Sequence, residues 1–378
     1  MAAKSNKIIR EHIKKHLYFP ITFPLRIPRI IVIFVTSKCN ALCDHCFRFG
    51  LPGVKRRQMS KENILHICKS INRSADISLT GGEPFLRNDL KALIDKLMRL
   101  KFIRSISINS NGSFPDKIES ICREICQIHK KPLCLNLSLD GLSKTHNSIR
   151  KIPDGFNKVL DTYERAKRIG SLHPQFGFGI LITIMRQNIA EIEKLVSYLE
   201  ERGYNSGLNI VRGNSFSTFG VPQDILNPGY NPQTNVIFDV KEVDRLLKRI
   251  SKSHPRYIGQ FSMLLYKTIL NTILRKKRLF SCYAGYEDAV VYSGGDIGIC
   301  EQVKPFGNLA KWNWNFQKAW NSQEAMEQRS KLTTCSCGHF CNLKTSIEML
   351  IEQHNYKQNK RKKRHTKQTT KHQTRRFI

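Results

Sequence analysis

The strongest constraint on the fold is a regular alternation of apolar, strand-like runs with segments of helical periodicity between Arg29 and Val211. The predicted strands are Ile30 to Val35, Asp76 to Thr80, Ser105 to Ile108, Leu133 to Leu139, Phe176 to Thr183 and Gly207 to Val211. The predicted helices are Lys61 to Ile71, Leu90 to Leu100, Asp116 to His129, Phe156 to Ile169 and Ile189 to Gly203. Such an alternation is typical of parallel βα units. Six units are too few for a closed eight-stranded barrel, so the pattern predicts an α/β fold, an open, partial (β/α)6 TIM-like barrel of parallel strands.

Three cysteines follow the first predicted strand within eight residues, at Cys39, Cys43 and Cys46. Three thiolates are too few to satisfy a tetrahedral metal ion alone. A 4Fe-4S cluster offers a separate iron to each of them and leaves one iron open for a small molecule. The spacing C-x3-C-x2-C by itself also fits a zinc site or plain buried thiols.

Small and polar residues follow the next three predicted strands, where the functional loops of such a barrel lie. Gly81 to Glu83 offer a backbone that can pass close to a ligand and a carboxylate that can accept a hydrogen bond from an ammonium. Asn111 follows the third strand, and Ser138 ends the fourth. Arg150 comes shortly afterwards and is suited to pairing with a carboxylate in fork geometry.

These motifs resemble those of the radical S-adenosylmethionine (SAM) superfamily. The stretches that carry the resemblance are the cysteine loop, Gly81-Gly82-Glu83-Pro84, Asn109-Ser110-Asn111-Gly112, Ser138-Leu139-Asp140-Gly141, His146 to Arg150 and Gly155-Phe156. The resemblance implies that the three cysteines hold a 4Fe-4S cluster whose fourth iron binds SAM. It also implies that SAM is contacted by Gly81, Gly82, Glu83, Asn111, Ser138 and Arg150. One position departs from the family, since His45 stands where an aromatic residue often precedes the third cysteine.

A second cysteine group begins at Cys282. The spacing C-x12-G-x4-C to Cys300 predicts a small hairpin that turns at residues 293–296 and carries a thiolate at each end. The candidate ligands of this group are Cys282, Cys300, Cys335, Cys337 and Cys341, with His339 as a weaker one. Four of these thiolates could ligate an iron-sulfur cluster or zinc. Spacing does not show which of the last three cysteines is spare.

This half of the chain resembles the auxiliary-cluster domain called SPASM, or its shorter relative, twitch. A complete SPASM domain holds two clusters with more cysteines than occur here. The resemblance therefore implies a small, cysteine-rich α+β domain with one auxiliary 4Fe-4S cluster. Cys68, Cys122, Cys126 and Cys134 are assigned no chemistry.

The predicted organisation has five parts. They are a basic N-terminal extension over 1–29, a core barrel over 30–212, a helical bridge over 213–280, an auxiliary-cluster domain over 281–350 and a disordered basic tail over 356–378. The bridge contains predicted helices at Val243 to Ile250 and Phe261 to Leu274. The extension contains a predicted helical face from Ile8 to Leu17.

The charge balance predicts attraction to polyanions. The chain has 63 Lys and Arg against 30 Asp and Glu, a formal charge of +33, which favours an anionic substrate or nucleic acid as a partner. Arg212, at the end of the sixth strand, is a candidate to face such a substrate. No apolar run approaches the ~20 residues of a membrane span. The clustered cysteines favour metal and a reducing compartment, so we expect a cytoplasmic protein.

The resemblance implies an enzyme that reductively cleaves SAM to a 5'-deoxyadenosyl radical and abstracts hydrogen from an unidentified peptide, metabolite or nucleic acid. It also implies an electron donor such as flavodoxin or ferredoxin. The alternative is a noncatalytic iron-sulfur protein that binds RNA or senses redox state. The SAM-binding motifs favour the enzyme, because a sensor does not need them.

Overall fold

The computed structural model describes residues 26–46, 57–211, 239–255, 257–275, 277–278, 280, 282–334 and 337–352. Its strands are β1 (Ile30–Thr36), β2 (Ala75–Gly81), β3 (Ile103–Ser110), β4 (Leu133–Ser138), β5 (Phe176–Ile184), β6 (Ser206–Ile210), β7 (Asp288–Val291), β8 (Asp296–Gly298) and β9 (Gly307–Asn308). Within the described residues they form one sheet in the order β6-β5-β4-β3-β2-β1-β7-β8-β9. Neighbours from β1 to β6 pair in parallel. The sheet is not closed, so the predicted partial barrel is confirmed.

Helices connect the strands and cover the outer face of the sheet. They are α1 (Lys61–Lys69), α2 (Leu90–Met98), α3 (Pro115–Ile128), α4 (Ser143–Arg150), α5 (Gly155–Leu172), α6 (Ile192–Glu201), α7 (Val240–Ser253), α8 (Gln260–Arg275), α9 (Phe316–Trp320) and α10 (Gln323–Ser330). Residues 340–352 are also helical. Every predicted strand and helix of the described part is present, with ends within three residues of the prediction.

Helix α4 is not among the predicted helices, because its sequence lacks the apolar periodicity of an amphipathic helix. Ile149 is its one large apolar residue that is buried, and its other buried side chains are His146 and Arg150. Because a polar face points inward, the apolar periodicity that predicts amphipathic helices is missing.

The two faces of the barrel strands have opposite character, because successive side chains in a strand alternate sides. In β2, Ile77 and Leu79 belong to the apolar core beneath the helices. Ser78 and Thr80 instead line a cavity inside the barrel. Strands β3 and β4 repeat this pattern, so the barrel interior presents hydroxyl and amide groups.

The C-terminal region extends the barrel sheet. Strand β7 pairs in parallel with β1, with Asp288 opposite Ile30, and β8 and β9 follow as antiparallel neighbours. The predicted hairpin turn is confirmed between β7 and β8, where Gly295 adopts φ +92° and its N–H donates to Tyr292 at 2.8 Å. The barrel and the second cysteine group are therefore joined through continuous β-sheet hydrogen bonding.

Several predictions fall on residues that the structure does not describe. They are the helical face from Ile8 to Leu17, Arg212, Cys335 and the basic tail over 356–378. Within the residues that are described, no helix is both long enough and apolar enough to cross a membrane.

We expect Trp320→Ala to lower the free energy of unfolding by about 3–5 kcal/mol, as large-to-small changes in a packed core do. The indole is fully buried, its ring centroid lies 5.5 Å from that of Phe316, and its Nε1–H donates to the Arg26 carbonyl at 2.9 Å. Urea unfolding followed by circular dichroism measures the change. Met326→Ala is the control, since Met326 is 47% exposed and should shift stability by less than about 0.5 kcal/mol. Equal effects of the two changes would contradict this packing.

Candidate active site

The loop with Cys39, Cys43 and Cys46 lies directly beyond the carboxyl end of β1. Its backbone is fixed by the last turn of α4, whose carbonyls accept from the amides of Leu42 at 3.3 Å and Asp44 at 3.0 Å. Cys43 is buried, and the other two cysteines are partly buried. Three sulfur atoms are thus presented by a short loop that is held by both a strand and a helix.

The glycine loop after β2 packs directly on this cysteine loop. The Gly82 amide donates to the Thr36 carbonyl at 2.9 Å, and the Glu83 amide donates to the Lys38 carbonyl at 2.8 Å. A Cβ atom on Gly82 would lie 1.9 Å from the Lys38 oxygen, and one on Gly81, at φ +142°, would lie 2.2 Å from the Thr36 oxygen. Only glycine permits this approach at either position.

Glu83 is almost fully buried, and its carboxylate accepts hydrogen bonds from inside the protein. Oε1 accepts from Ser110 Oγ at 2.9 Å and the Phe85 amide at 3.1 Å, while Oε2 accepts from the Asn111 amide at 2.7 Å. Burial raises the pKa of this carboxyl to about 7, against the effect of these donors. Glu83 therefore joins the glycine loop to the end of β3, and its contact with the SAM ammonium stays a prediction.

Asn111 connects the third loop to the cysteine loop. Its Nδ2 donates to Asn40 Oδ1 at 2.9 Å, and its Oδ1 accepts from Ser113 Oγ at 2.6 Å. The Asn40 Nδ2 in turn donates to Ser113 Oγ at 2.8 Å. This closed set of amide and hydroxyl contacts fixes the position of Asn40, the residue next to Cys39.

Arg150 forms a buried ion pair that also reaches the cysteine loop. Its Nε and Nη2 atoms lie 2.6 Å and 2.5 Å from Asp140 Oδ2, and its Nη1 lies 3.8 Å from Cys43 Sγ. Burial opposes ionisation of Asp140, but the Arg150 charge holds the pKa of that carboxyl below its usual value. Sequence reasoning gave Asp140 no role, although the motif stretch that carries the resemblance contains it.

The thiols of Cys39 and Cys43 need a nearby cation in order to ionise. Burial raises the pKa of Cys39 and Cys43 to about 12, so at neutral pH they become thiolates only when a cation compensates their charge. Iron supplies that charge, and Arg150 beside Cys43 adds to it. The residues present therefore fit a metal cluster at this loop.

Two histidines accompany the ion pair. The His45 Nε2 lies 4.0 Å from Asp140 Oδ2, and the Asp140 amide donates to His146 Nδ1 at 3.1 Å. Burial lowers the pKa of both imidazoles to about 4, so both are neutral at pH 7. His45, which replaces the aromatic residue of the family pattern, is thus packed against the Asp140–Arg150 pair.

Ser138 ends β4 and is half-buried. It pairs in register with Leu181 of β5, whose side chain lines the interior cavity. The predicted SAM contacts thus lie at the carboxyl edge of β2, β3 and β4 and at the end of α4. Their contacts with SAM stay predictions.

Three cysteines of the second group come together in the structure. Cys282, Cys300 and Cys337 are buried, and the pKa of the Cys300 thiol is raised by burial and then by the neighbouring Cys337 and Cys282 sulfurs. Cys341 is exposed and lines the interior cavity. The geometry thus groups Cys337 with the two hairpin cysteines, and the full ligand set stays a prediction.

Two polar residues that sequence reasoning missed contact these sulfurs. Arg278 Nη2 donates to Cys337 Sγ at 3.1 Å, and its Nε donates to the Cys337 carbonyl at 3.2 Å. Asn342 Nδ2 donates to Cys300 Sγ at 2.8 Å. A buried guanidinium and an amide next to thiols favour the thiolate form that a metal cluster requires.

No group of three His, Cys, Asp or Glu side chains among the described residues converges as it would on one metal ion. A 4Fe-4S cluster makes a different demand, because each thiolate binds its own iron.

A cavity of about 570 Å³ inside the barrel connects the two cysteine groups. Cys46 and Gly81 line one part of it, and Cys300 and Cys341 line another. The size is in the usual range of small-molecule sites. A ligand in this cavity lies between the cysteine loop of β1 and the second group.

Residues 33–199 match the family model of the Radical SAM superfamily. The chain is 27% identical over 201 residues to the pre-heme d1 synthase of Dinoroseobacter shibae, a match that covers 51% of this chain and 46% of that protein. It is 27% identical over 225 residues to a probable GTP 3',8-cyclase of Archaeoglobus fulgidus, covering 58% of this chain and 67% of that protein. The chain thus spans about half the length of the first of these relatives.

The fold is similar to that of anSMEcpe, solved with bound SAM and the Cp18Cys peptide. The TM-score is 0.56 at 20% sequence identity, over 80% of this chain and 82% of that chain. At 20% sequence identity, this similarity is evidence for a shared fold and not for a shared function. The family match extends from β1 to α6, across the strands whose carboxyl ends carry the cysteine and glycine loops. Residues 33–199 of this chain are therefore identified as a Radical SAM domain, a domain whose cofactors are a 4Fe-4S cluster and SAM.

Proposed function

We propose that the chain is an enzyme that cleaves SAM reductively and uses the resulting 5'-deoxyadenosyl radical to remove a hydrogen atom from a substrate in the barrel cavity. One observation carries the proposal: the cysteine loop and the glycine loop both reach the cavity of about 570 Å³, at Cys46 and Gly81, and Arg150 contacts the same cysteine loop at Cys43. A redox sensor or an RNA-binding protein does not need a cavity of this size beside its cluster.

Cys39, Cys43 and Cys46 would hold the cluster, which when bound supplies the electron that breaks the sulfonium bond of SAM. The protein would fix the positions of the cysteine loop and of Arg150. The last turn of α4 and the glycine loop fix the cysteine loop from two sides. Arg150 would place a positive charge beside the Cys43 thiolate and would be available to the SAM carboxylate, with its Nε and Nη2 atoms both held by Asp140 Oδ2.

The cavity walls would hold the substrate and keep water away from the radical. Strands β1 and β7 supply apolar side chains at Val32, Phe34 and Val290, while β3 and β4 supply Asn109 and Asn136. The Asn136 Nδ2 donates to Asn109 Oδ1 at 2.9 Å, so these amides are pre-oriented. A recessed, partly apolar site suits a radical reaction, because it limits the access of competing hydrogen donors.

The second cysteine group would hold one auxiliary 4Fe-4S cluster. Cys282, Cys300 and Cys337 supply three thiolates, and Arg278 and Asn342 stabilise two of them. Cys335 and Cys341 are the candidates for the fourth ligand. Since Cys300 also lines the cavity, this cluster would lie close enough to the substrate to accept an electron from a substrate radical.

Two findings bear on the substrate. The anSMEcpe structure contains a bound peptide as well as SAM, which supports a peptide as one candidate class. The names of the curated relatives instead refer to a heme and a nucleotide. The relatives therefore support radical SAM chemistry, but they do not indicate which class of substrate this chain uses.

We expect the anaerobically reconstituted, dithionite-reduced protein to form 5'-deoxyadenosine from SAM. A variant with Cys39, Cys43 and Cys46 all changed to Ala should form none, because the cluster that donates the electron is lost. Liquid chromatography of the quenched reaction measures the product. Cys134→Ala is the matched control, since Cys134 is half-buried on β4, outside both cysteine groups, and should retain activity. Equal product from the triple variant and the unmodified protein would contradict the proposal.

We expect Asp140→Asn to lower 5'-deoxyadenosine formation by about 10- to 100-fold, the usual effect of removing a residue that orients a ligand. The amide cannot match the charge of Arg150, so the guanidinium loses its fixed orientation. The control is Asp161→Asn, which removes a comparable pair with Arg165 (2.9 Å) on the protein surface and should leave the rate unchanged. A normal rate with Asp140→Asn would show that the pair does not position Arg150 for this step.

We expect the double change Cys282→Ala and Cys300→Ala to remove roughly four iron atoms per chain, the content of one cluster. Formation of 5'-deoxyadenosine should persist, because radical initiation uses the cluster on the β1 loop. Iron and sulfide assays measure the first effect, and chromatography measures the second. Unchanged iron content would argue against an auxiliary cluster at this site.

A further inference from the structure

We propose that the barrel cavity binds a substrate with a primary ammonium or guanidinium group and that Asp288 anchors this group. The inference rests on the proposed function, because it identifies the substrate class of the same cavity. It runs opposite to what the net charge of +33 predicts. The cavity is lined by Asp76, Asp288, Glu301 and Glu348, with Lys344 as the one Lys or Arg among its described lining residues.

Asp288 is the first residue of β7 and lies on the same side of that strand as Val290, which also lines the cavity. It is 8% exposed. Its Oδ1 accepts from Thr345 Oγ1 at 3.2 Å. Its Oδ2 is buried and has no hydrogen-bond partner among the described residues. Asp288, a residue of the cavity wall, therefore has a carboxylate oxygen without a hydrogen-bond donor among the described residues.

The other lining carboxylates each have a basic side chain within 4 Å. Arg104 pairs with Asp76 through both of its oxygens. The Lys344 Nζ lies 3.9 Å from Glu348 Oε1, and the His339 Nε2 lies 3.5 Å from Glu301 Oε2. Asp288 thus differs from the other lining carboxylates, because no basic side chain is paired with it among the described residues.

The charged groups near Asp288 do not provide its partner. Arg29 is engaged with Glu287 at 3.3 Å and Glu352 at 2.9 Å. Glu287 and Glu348 add negative charge around Asp288. A buried oxygen without a donor costs free energy that a bound cation with N–H groups would recover. A phosphate or carboxylate at the same place would add repulsion to that cost.

The position of Asp288 also limits the shape of the substrate. Asp288 pairs with Ile30 at the start of β1, whereas Gly81 of the SAM-binding edge pairs with Thr36. Six residues of strand correspond to about 20 Å. A molecule anchored at Asp288 must therefore be elongated if its reactive carbon is to approach SAM. Between the two ends, the oriented amides of Asn109 and Asn136 can hydrogen-bond to its polar groups.

The test compares two probes that differ only in charge, n-hexylamine and n-hexanol, on the reconstituted protein by isothermal titration calorimetry. The titration is run at pH 8, because burial raises the pKa of Asp288 to about 7 and a primary amine is still protonated there. We expect the amine to bind about 10- to 100-fold more tightly than the alcohol, the usual effect of a charge-assisted hydrogen bond. Asp288→Asn should abolish this preference.

Asp76→Asn is the matched control, because Asp76 lines the cavity next to Ile30 but is already paired with Arg104. It should retain the preference for the amine. Asp288→Asn keeps the shape of the side chain and removes an uncompensated charge, so thermal unfolding should show no loss of stability. Asp288→Glu restores the charge and should restore part of the preference.

Equal binding of amine and alcohol to the unmodified protein would overturn the proposal, as would a preference that survives Asp288→Asn. The readout is binding, so it is independent of SAM cleavage. Amine selectivity without 5'-deoxyadenosine formation would leave this inference standing and count against the proposed function. The reverse result would count against Asp288 alone.

Discussion

The site depends on one backbone contact, in which the amides of Gly82 and Glu83 donate to the carbonyls of Thr36 and Lys38. This contact places the cysteine loop and the glycine loop against each other with no room for a side chain. It also turns Glu83 inward, where its carboxylate joins the amide of Asn111. The loops after β1, β2 and β3 thus form one hydrogen-bonded unit, which would hold the predicted cluster ligands in place before a cluster binds.

A buried ion pair completes this unit from the opposite side. Arg150 and Asp140 are removed from water, which costs free energy that their attraction only partly offsets. Their geometry gives the pair a positioning role, because Arg150 contacts both Asp140 and Cys43. The neutral His45 and His146 pack around the pair and keep the surroundings free of additional charge. Such an arrangement favours a fixed guanidinium near a cluster thiolate.

The cavity shows why net charge is a poor guide to a binding site. The chain as a whole is strongly basic, yet the carboxylates that line the cavity outnumber its cations. Parallel pairing of β7 with β1 brings Asp288 to the barrel wall and the second cysteine group to the same cavity. Strand β7 therefore lines the cavity and pairs with β1, the strand that leads into the first cysteine loop.

The strands and helices of the barrel, the cysteine loop and the glycine loop could all be predicted from the sequence. These features are encoded locally: alternation of apolar residues predicts strands and helices, and the motif residues follow the strands within a few positions. The sequence did not predict α4, because the buried face of that helix is polar.

The tertiary structure alone decided which distant residues meet. Arg150 contacts Cys43 across 107 positions, and Arg278 contacts Cys337 across 59. The pairing of β7 with β1 joins residues more than 250 positions apart. Such contacts depend on how the sheet is assembled, and no local pattern of spacing or charge records them. The unsatisfied oxygen of Asp288 belongs to this class, because whether a carboxylate is paired depends on every element packed around it.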